Sequence, residues 1–153
     1  MKRLFMLIGM SCAILAANAQ TTFSVKKLSV ETQYQADTCR LTKEDLESEI
    51  RSLMRYNRIG ITDDSEAPYL YVSALLLPTK AGCAGGLRLR IVQYQFIEDE
   101  WLRRRNFATI IYCNQSGIFT SSRESLVRQA GDTARSAFNG CLSEMEQDTF
   151  ARK

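Results

Sequence analysis

The 153-residue chain contains no histidine. That absence excludes Ser-His-Asp and Cys-His catalysis and every histidine-ligated metal centre. The chain also lacks a Gly-x-Ser-x-Gly elbow and a Cys-x-x-Cys pair, the patterns of a nucleophile turn and of a thioredoxin-like dithiol. A thiol-active protein built on Cys83 is therefore the least supported chemistry. Prolines number two, and both, Pro68 and Pro78, flank a single apolar run instead of interrupting an element. Beyond residue 19 there is no long apolar segment, no low-complexity tract and no internal repeat. No stable membrane span is expected there, and no solenoid.

The first nineteen residues carry a different message. Lys2 and Arg3 precede an almost entirely apolar run from Leu4 to Ala17, and Ala17-Asn18-Ala19 is a small-x-small site. This is the pattern of a secretory signal peptide, too short for a convincing transmembrane span and followed by no stop-transfer sequence. Cleavage is expected after Ala19, so that Gln20 begins one α+β domain over residues 20–153 in the periplasm or the medium of a bacterium. Cys12 leaves with the signal, because Gly9-Met10-Ser11 is a poor lipidation box and apolar residues continue after it. Losing Lys2 and Arg3 lowers the formal charge from +3 to about +1. A chain that is nearly neutral has no general attraction to nucleic acid, and no nucleic-acid partner is expected.

Secondary structure follows from apolar spacing. Phe23 to Gln35 reads as an edge strand. Thr42 with Asp45 forms an N-terminal capping box, and Leu41 with Leu46 a hydrophobic staple. Leu46, Ile50, Leu53 and Met54 make the apolar stripe of the helix that follows, with Glu47 and Arg51 paired on its wet side. Gly60 is the expected left-handed stop, with Ile61 folding back towards Tyr56. Tyr69 to Leu77 is a central strand, and Pro78 to Gly86 a loop. Leu87 to Ile97 is a strand whose apolar set changes face near Ile91-Val92, the mark of a bulge. Glu98 to Leu102 turns the chain, Arg103 to Cys113 is the last strand, and Asn114 to Gly117 a turn. Ser121 with Glu124 is a capping box opening a second helix. Its inner face runs through Val127, Ala130, Ala134, Ala137, Phe138, Cys141, Leu142 and Met145, with Gly131 marking close packing or a kink.

The order β-α-β-β-β-α predicts a two-layer α+β sandwich: a mixed four-stranded sheet with both helices on one face. The first β-α-β unit is expected to be a right-handed crossover, and the later strands an antiparallel meander. In topology this is similar to small periplasmic accessory domains of bacterial envelope assemblies, a likeness of fold that carries no function.

Four cysteines remain after the signal: Cys39, Cys83, Cys113 and Cys141. An even number in an exported domain points to two disulfides. Cys39 and Cys83 fall at the same end of the predicted sheet and can pair. Cys113–Cys141 follows by elimination and requires residues 114–120 to reverse the chain before the helix, because a simple return carries Cys141 roughly 30 Å away.

No cofactor is expected. The glycine-rich segment from Lys80 to Gly86 lacks the Gly-Lys-Ser/Thr end of a phosphate loop and precedes no helix. Asp63, Asp64 and Glu66 form one acidic cluster, and Glu98, Asp99 and Glu100 another. Their spacing fits neither an EF-hand nor a set glycosidase pair, and solvated turns account for both. Trp101 with Arg103, Arg104 and Arg105 is the best candidate contact surface, able to meet an envelope protein or an anionic ligand through an apolar anchor and three cations. Arg88, Arg90 and Tyr94 on one sheet face come next. The chain therefore reads as an exported, non-enzymatic binding or accessory protein of the cell envelope. The alternative is a small secreted hydrolase using carboxylates from the acidic loops.

Overall fold

A computed structural model describes residues 23–99 and 103–151. The elements run β1 (Ser24–Val25), β2 (Lys27–Tyr34), a 3-10 turn (Asp37–Cys39), α1 (Lys43–Tyr56), β3 (Gly60–Ile61), β4 (Tyr69–Thr79), β5 (Gly82–Asp99), β6 (Arg104–Ser121) and α2 (Leu126–Ala151). The fold is α+β. Four strands form a mixed sheet in the order β2-β4-β5-β6, with β2 parallel to β4 and the other neighbours antiparallel. In register, Leu28, Leu70, Ile91 and Cys113 form one row, and Val30, Val72, Leu89 and Gln115 the next. Alternate residues of a strand share a face, so these rows make a single inner surface. Leu46, Ile50, Leu53 and Met54 of α1 join it in one buried core, with Ala130, Ala134, Phe138 and Cys141 of α2.

Local chemistry starts and stops α1. Thr42 Oγ1 accepts from the Asp45 N–H at 3.1 Å, and the Asp45 carboxylate accepts from the Thr42 N–H. Leu41 and Leu46 are both buried, as a staple requires. The helix ends differently from expectation. Arg58, not Gly60, takes the left-handed conformation (φ 56°), and the Ile59 N–H returns to the Met54 carbonyl at 2.8 Å. Burying Ile59 closes the motif, and Gly60 is left free to pair in β3.

The structure corrects several boundaries. The first strand breaks at Lys26, whose N–H donates to the Pro68 carbonyl; β1 pairs with β3, and β2 with β4. The loop expected over residues 78–86 is instead a tight hairpin in which Thr79 pairs with Gly82. The last strand does not stop at Cys113. Asn114, Gln115, Ser116 and Gly117 pair with Arg90, Leu89, Arg88 and Leu87, and β6 continues to Ser121. Their polarity belongs to an edge strand: Gly117 abuts Thr133, and the Gln115 amide donates to the Glu144 carboxylate. Ser121 is consumed by that strand, so the Ser121–Glu124 box does not form. α2 starts at Leu126, which is buried, while Val127 faces solvent. β5 extends through Asp99, past the expected turn at Glu98.

The bulge lies where the change of face placed it. Ile91 opposes Cys113 and Val92 opposes Ile111, so Tyr112 of β6 is the extra residue. Gly131 faces α1, where a Cβ would come into ordinary contact with the Glu49 side chain.

Cys39 bridges Cys83, with Cα atoms 5.6 Å apart, tying the 3-10 turn to the start of β5. Cys113 bridges Cys141 at 5.3 Å, tying β6 to α2. Lengthening β6 supplies the missing reversal. Eight strand residues carry the chain ~27 Å past Cys113, and α2 returns ~22 Å over the fifteen helical steps from Leu126 to Cys141.

Candidate functional site

Among the described residues, no element covers the face of the sheet turned away from the helices. Three zones succeed one another along it, set by which residues fall on that side of each strand. Nearest the β4–β5 turn, Leu75, Gly86 and Ile118 form one row, and Leu77, Ala84 and Thr120 the next. Small residues on the central strand between large ones on its neighbours leave a groove of about 500 Å³. Ile118 is 92% exposed beside it. The middle zone is polar and cationic: Ser73, Arg88 and Ser116, then Tyr71, Arg90 and Asn114. The Arg88 Nε donates to Asn114 Oδ1 at 2.8 Å.

The third zone is aromatic. Beyond the bulge, Tyr94 and Phe96 of β5 share the open face with Phe107 of β6. Tyr69 and Tyr71 lie with their ring centroids 6.0 Å apart, Tyr69 meets Tyr94 edge-on at 5.5 Å, and Tyr94 stacks on Phe107 at 5.7 Å. Lys26 Nζ lies 5.7 Å from the centre of the Tyr69 ring, and the Arg105 guanidinium 6.0 Å from that of Phe96. The Tyr71 and Tyr94 hydroxyls share a hydrogen bond of 3.5 Å. That bond, followed by partial burial, pushes the Tyr71 hydroxyl up to about 12.

Part of this zone leaves the sheet. β4 begins opposite Val92, so Gln93–Asp99 and their partners Arg104–Ile110 form a two-stranded arm ~24 Å long that, among the described residues, has no strand on either flank. Phe96 and Phe107 on the arm are 64% and 62% exposed.

Arg103, Arg104 and Arg105 stand exposed at the tip of the arm, with Arg105 Nε 3.7 Å from Glu98 Oε1. Trp101 and Glu100, like residues 1–22 with the expected cleavage site between Ala19 and Gln20, lie outside the described residues. Among the described residues, the structure does not bring the acidic clusters together. Asp63, Asp64 and Glu66 are exposed on the loop before β4, where Asp64 Oδ1 accepts from the Glu66 N–H at 2.9 Å. The Gln93 side chain reaches the Glu66 carbonyl, and Glu98 lies ~17 Å further along β5. Glycosidase carboxylates sit about 5–9.5 Å apart. A second groove, between β6 and α2, has Asp132 as its lone carboxylate among the lining residues. Among the described residues, no group of three or more metal-ligating side chains is gathered, and no helix is long and apolar enough to cross a membrane. The glycine-rich segment is taken up in the β5 ladder, with Gly85 lying under the Phe119 ring.

Composition alone finds the arginines. It misses Phe96–Phe107 and the groove, because both depend on strand register. The signal is the alternation that continues past Val92 to Tyr94 and Phe96, which leaves two aromatic side chains exposed on the open face.

No protein-family model and no curated protein matches the chain. Among solved structures, a minor lipoprotein from Acinetobacter baumannii is similar at 18% identity and a TM-score of 0.31, over 83% of this chain and 94% of that chain. A likeness of that size carries no function, so what this chain does has to come from its own residues.

Proposed function

We propose that this chain is an exported binding protein of the bacterial envelope, and that a partner protein docks on the β5–β6 arm. One observation carries the reading: the arm projects beyond its sheet with Phe96 and Phe107 exposed on one side and Arg103, Arg104 and Arg105 at its tip. A lone two-stranded hairpin is marginal in water, and a contiguous exposed apolar surface is usually a docking surface. Aromatic residues and arginine are the side chains that most often anchor protein interfaces. Two disulfides support the compartment, since such bridges persist outside the reducing cytosol.

A photo-crosslinking residue placed at Phe96 in living cells tests the reading. A discrete envelope-protein adduct is expected at position 96 and none at Glu44, which is exposed on α1. Changing Arg103, Arg104 and Arg105 to alanine should weaken the adduct without unfolding the chain. No adduct at 96, or the same adducts at both positions, overturns the proposal.

A further inference from the structure

The groove at the opposite end of the open face has no part in the arm's docking. It lies about ten residues along β5 from Phe96, or ~34 Å. Its floor is Ala84 and Gly86 on β5. Its walls are Leu75 and Leu77 on β4, with Ile118 and Thr120 on β6. At about 500 Å³ it lies within the range of small-molecule sites, and such sites pair apolar walls with a few placed polar groups. Thr120 offers a hydroxyl at the hairpin end, and the two arginines of the sheet face stand at the other. Arg88 is two residues from Gly86 on the same face, and Arg90 two further on.

Among the described residues, no acid pairs with either guanidinium. Arg88 faces Ser73 and Ser116 on the flanking strands, and Arg90 faces Tyr71 and Asn114. Glu31, in the row of Arg88, stands two strands away at ~10 Å and accepts from the Gln33 amide. The strand surface thus runs from a largely apolar groove to a pair of arginines. From Ala84 to Arg88 it spans ~14 Å.

We infer that this groove binds a single-chain anionic amphiphile, with its acyl chain between Leu75 and Ile118 over Gly86 and its anionic head on Arg88 and Arg90. Charge complementarity selects that occupant. A cationic or neutral chain leaves the arginines unmatched, and a second copy of this chain brings its own arginines to the same face.

Titration calorimetry with dodecanoate, below its micelle concentration, tests the assignment. One site per chain is expected. Acetate, which has the head without the chain, and dodecyltrimethylammonium, which has the opposite charge, should each bind at least tenfold more weakly. Gly86→Val fills the floor, and a Cβ there meets nothing within 4 Å, so the variant is expected to keep the fold. It should lose dodecanoate at least tenfold, as should Arg88→Ala combined with Arg90→Ala. Leu75→Ser is a second groove variant, and melting curves of all three confirm folding. Three results overturn the inference: no dodecanoate binding, equal binding by dodecyltrimethylammonium, or binding indifferent to Gly86→Val. A dimer abolished by Gly86→Val assigns the groove to a second copy. Sedimentation with anionic phospholipid vesicles without dodecanoate binding assigns it to a membrane surface. Either of these also overturns the inference.

Discussion

Phe96 and Phe107 oppose each other across the two strands of the arm, their ring centroids 5.4 Å apart and edge-on. A cross-strand aromatic pair is worth roughly 0.2–1 kcal/mol, and these rings stay largely in water. Changing both to serine should therefore cost at most about 1 kcal/mol in a urea melt. The same double variant should abolish the envelope crosslink at a neighbouring arm position. A large fall in stability would make the pair structural and remove it from the docking surface.

Gly82 begins β5 at φ 150°, a conformation that side chains rarely adopt. A Cβ there would run into the Ser121 carbonyl oxygen on β6. Backbone has to move to relieve that contact, and Cys83 beside it is fixed by its bridge. Gly82→Ala is expected to destabilise by more than ~1 kcal/mol. Gly86→Ala, whose Cβ enters open space, is the matched control and should be near neutral in the same melt.

These contrasts show which parts of the fold are local in sequence. The start of α1 is legible because Thr42, Asp45, Leu41 and Leu46 act within one turn of each other. The end of β6 is not. Asn114 to Gly117 have the composition of a turn, and only their pairing with Leu87 to Arg90 and their contacts with α2 hold them extended. Ser121 and Glu124 match a capping box but lie too early, because Ser121 pairs with Cys83 across the sheet. The candidate site divides in the same way. Arg103, Arg104 and Arg105 are visible as a run. The groove needs Leu75, Gly86 and Ile118, three residues far apart in the chain that only register aligns.

The two bridges close segments with sequence separations of 44 and 28. A disulfide acts mainly by limiting the unfolded chain, and loop length enters only logarithmically. Cys39→Ser with Cys83→Ser, and Cys113→Ser with Cys141→Ser, should therefore each cost about 2–5 kcal/mol. Unchanged melting of either double variant would remove that bridge from the account of stability.

The raised Tyr71 hydroxyl predicts an alkaline weakness. In the unfolded chain it ionises near its ordinary value of 10.0, whereas in the folded chain it holds its proton up to about 12. The folded state binds the proton more tightly, so this contribution is complete below pH 10 and is lost as pH rises from 10 towards 12. Ultraviolet titration of the tyrosinate band should show one late-ionising group, absent in Tyr71→Phe. The variant's stability should also fall less steeply over that range. A late group that persists in Tyr71→Phe would assign the shift elsewhere.

Compartment and thiol chemistry can be read from one pair of spectra. Export with cleavage after Ala19 predicts an intact mass that begins at Gln20. If both bridges form, thiol alkylation before reduction should add nothing, and alkylation after reduction should label Cys39, Cys83, Cys113 and Cys141. All four are buried, at 3% exposure or less, so the first labelling is done in denaturant to separate bridged sulfur from merely hidden thiol. A retained signal would overturn the export reading. Label taken up in denaturant without reduction would leave the cysteines as small apolar core residues, and the compartment would lose its support from disulfide chemistry.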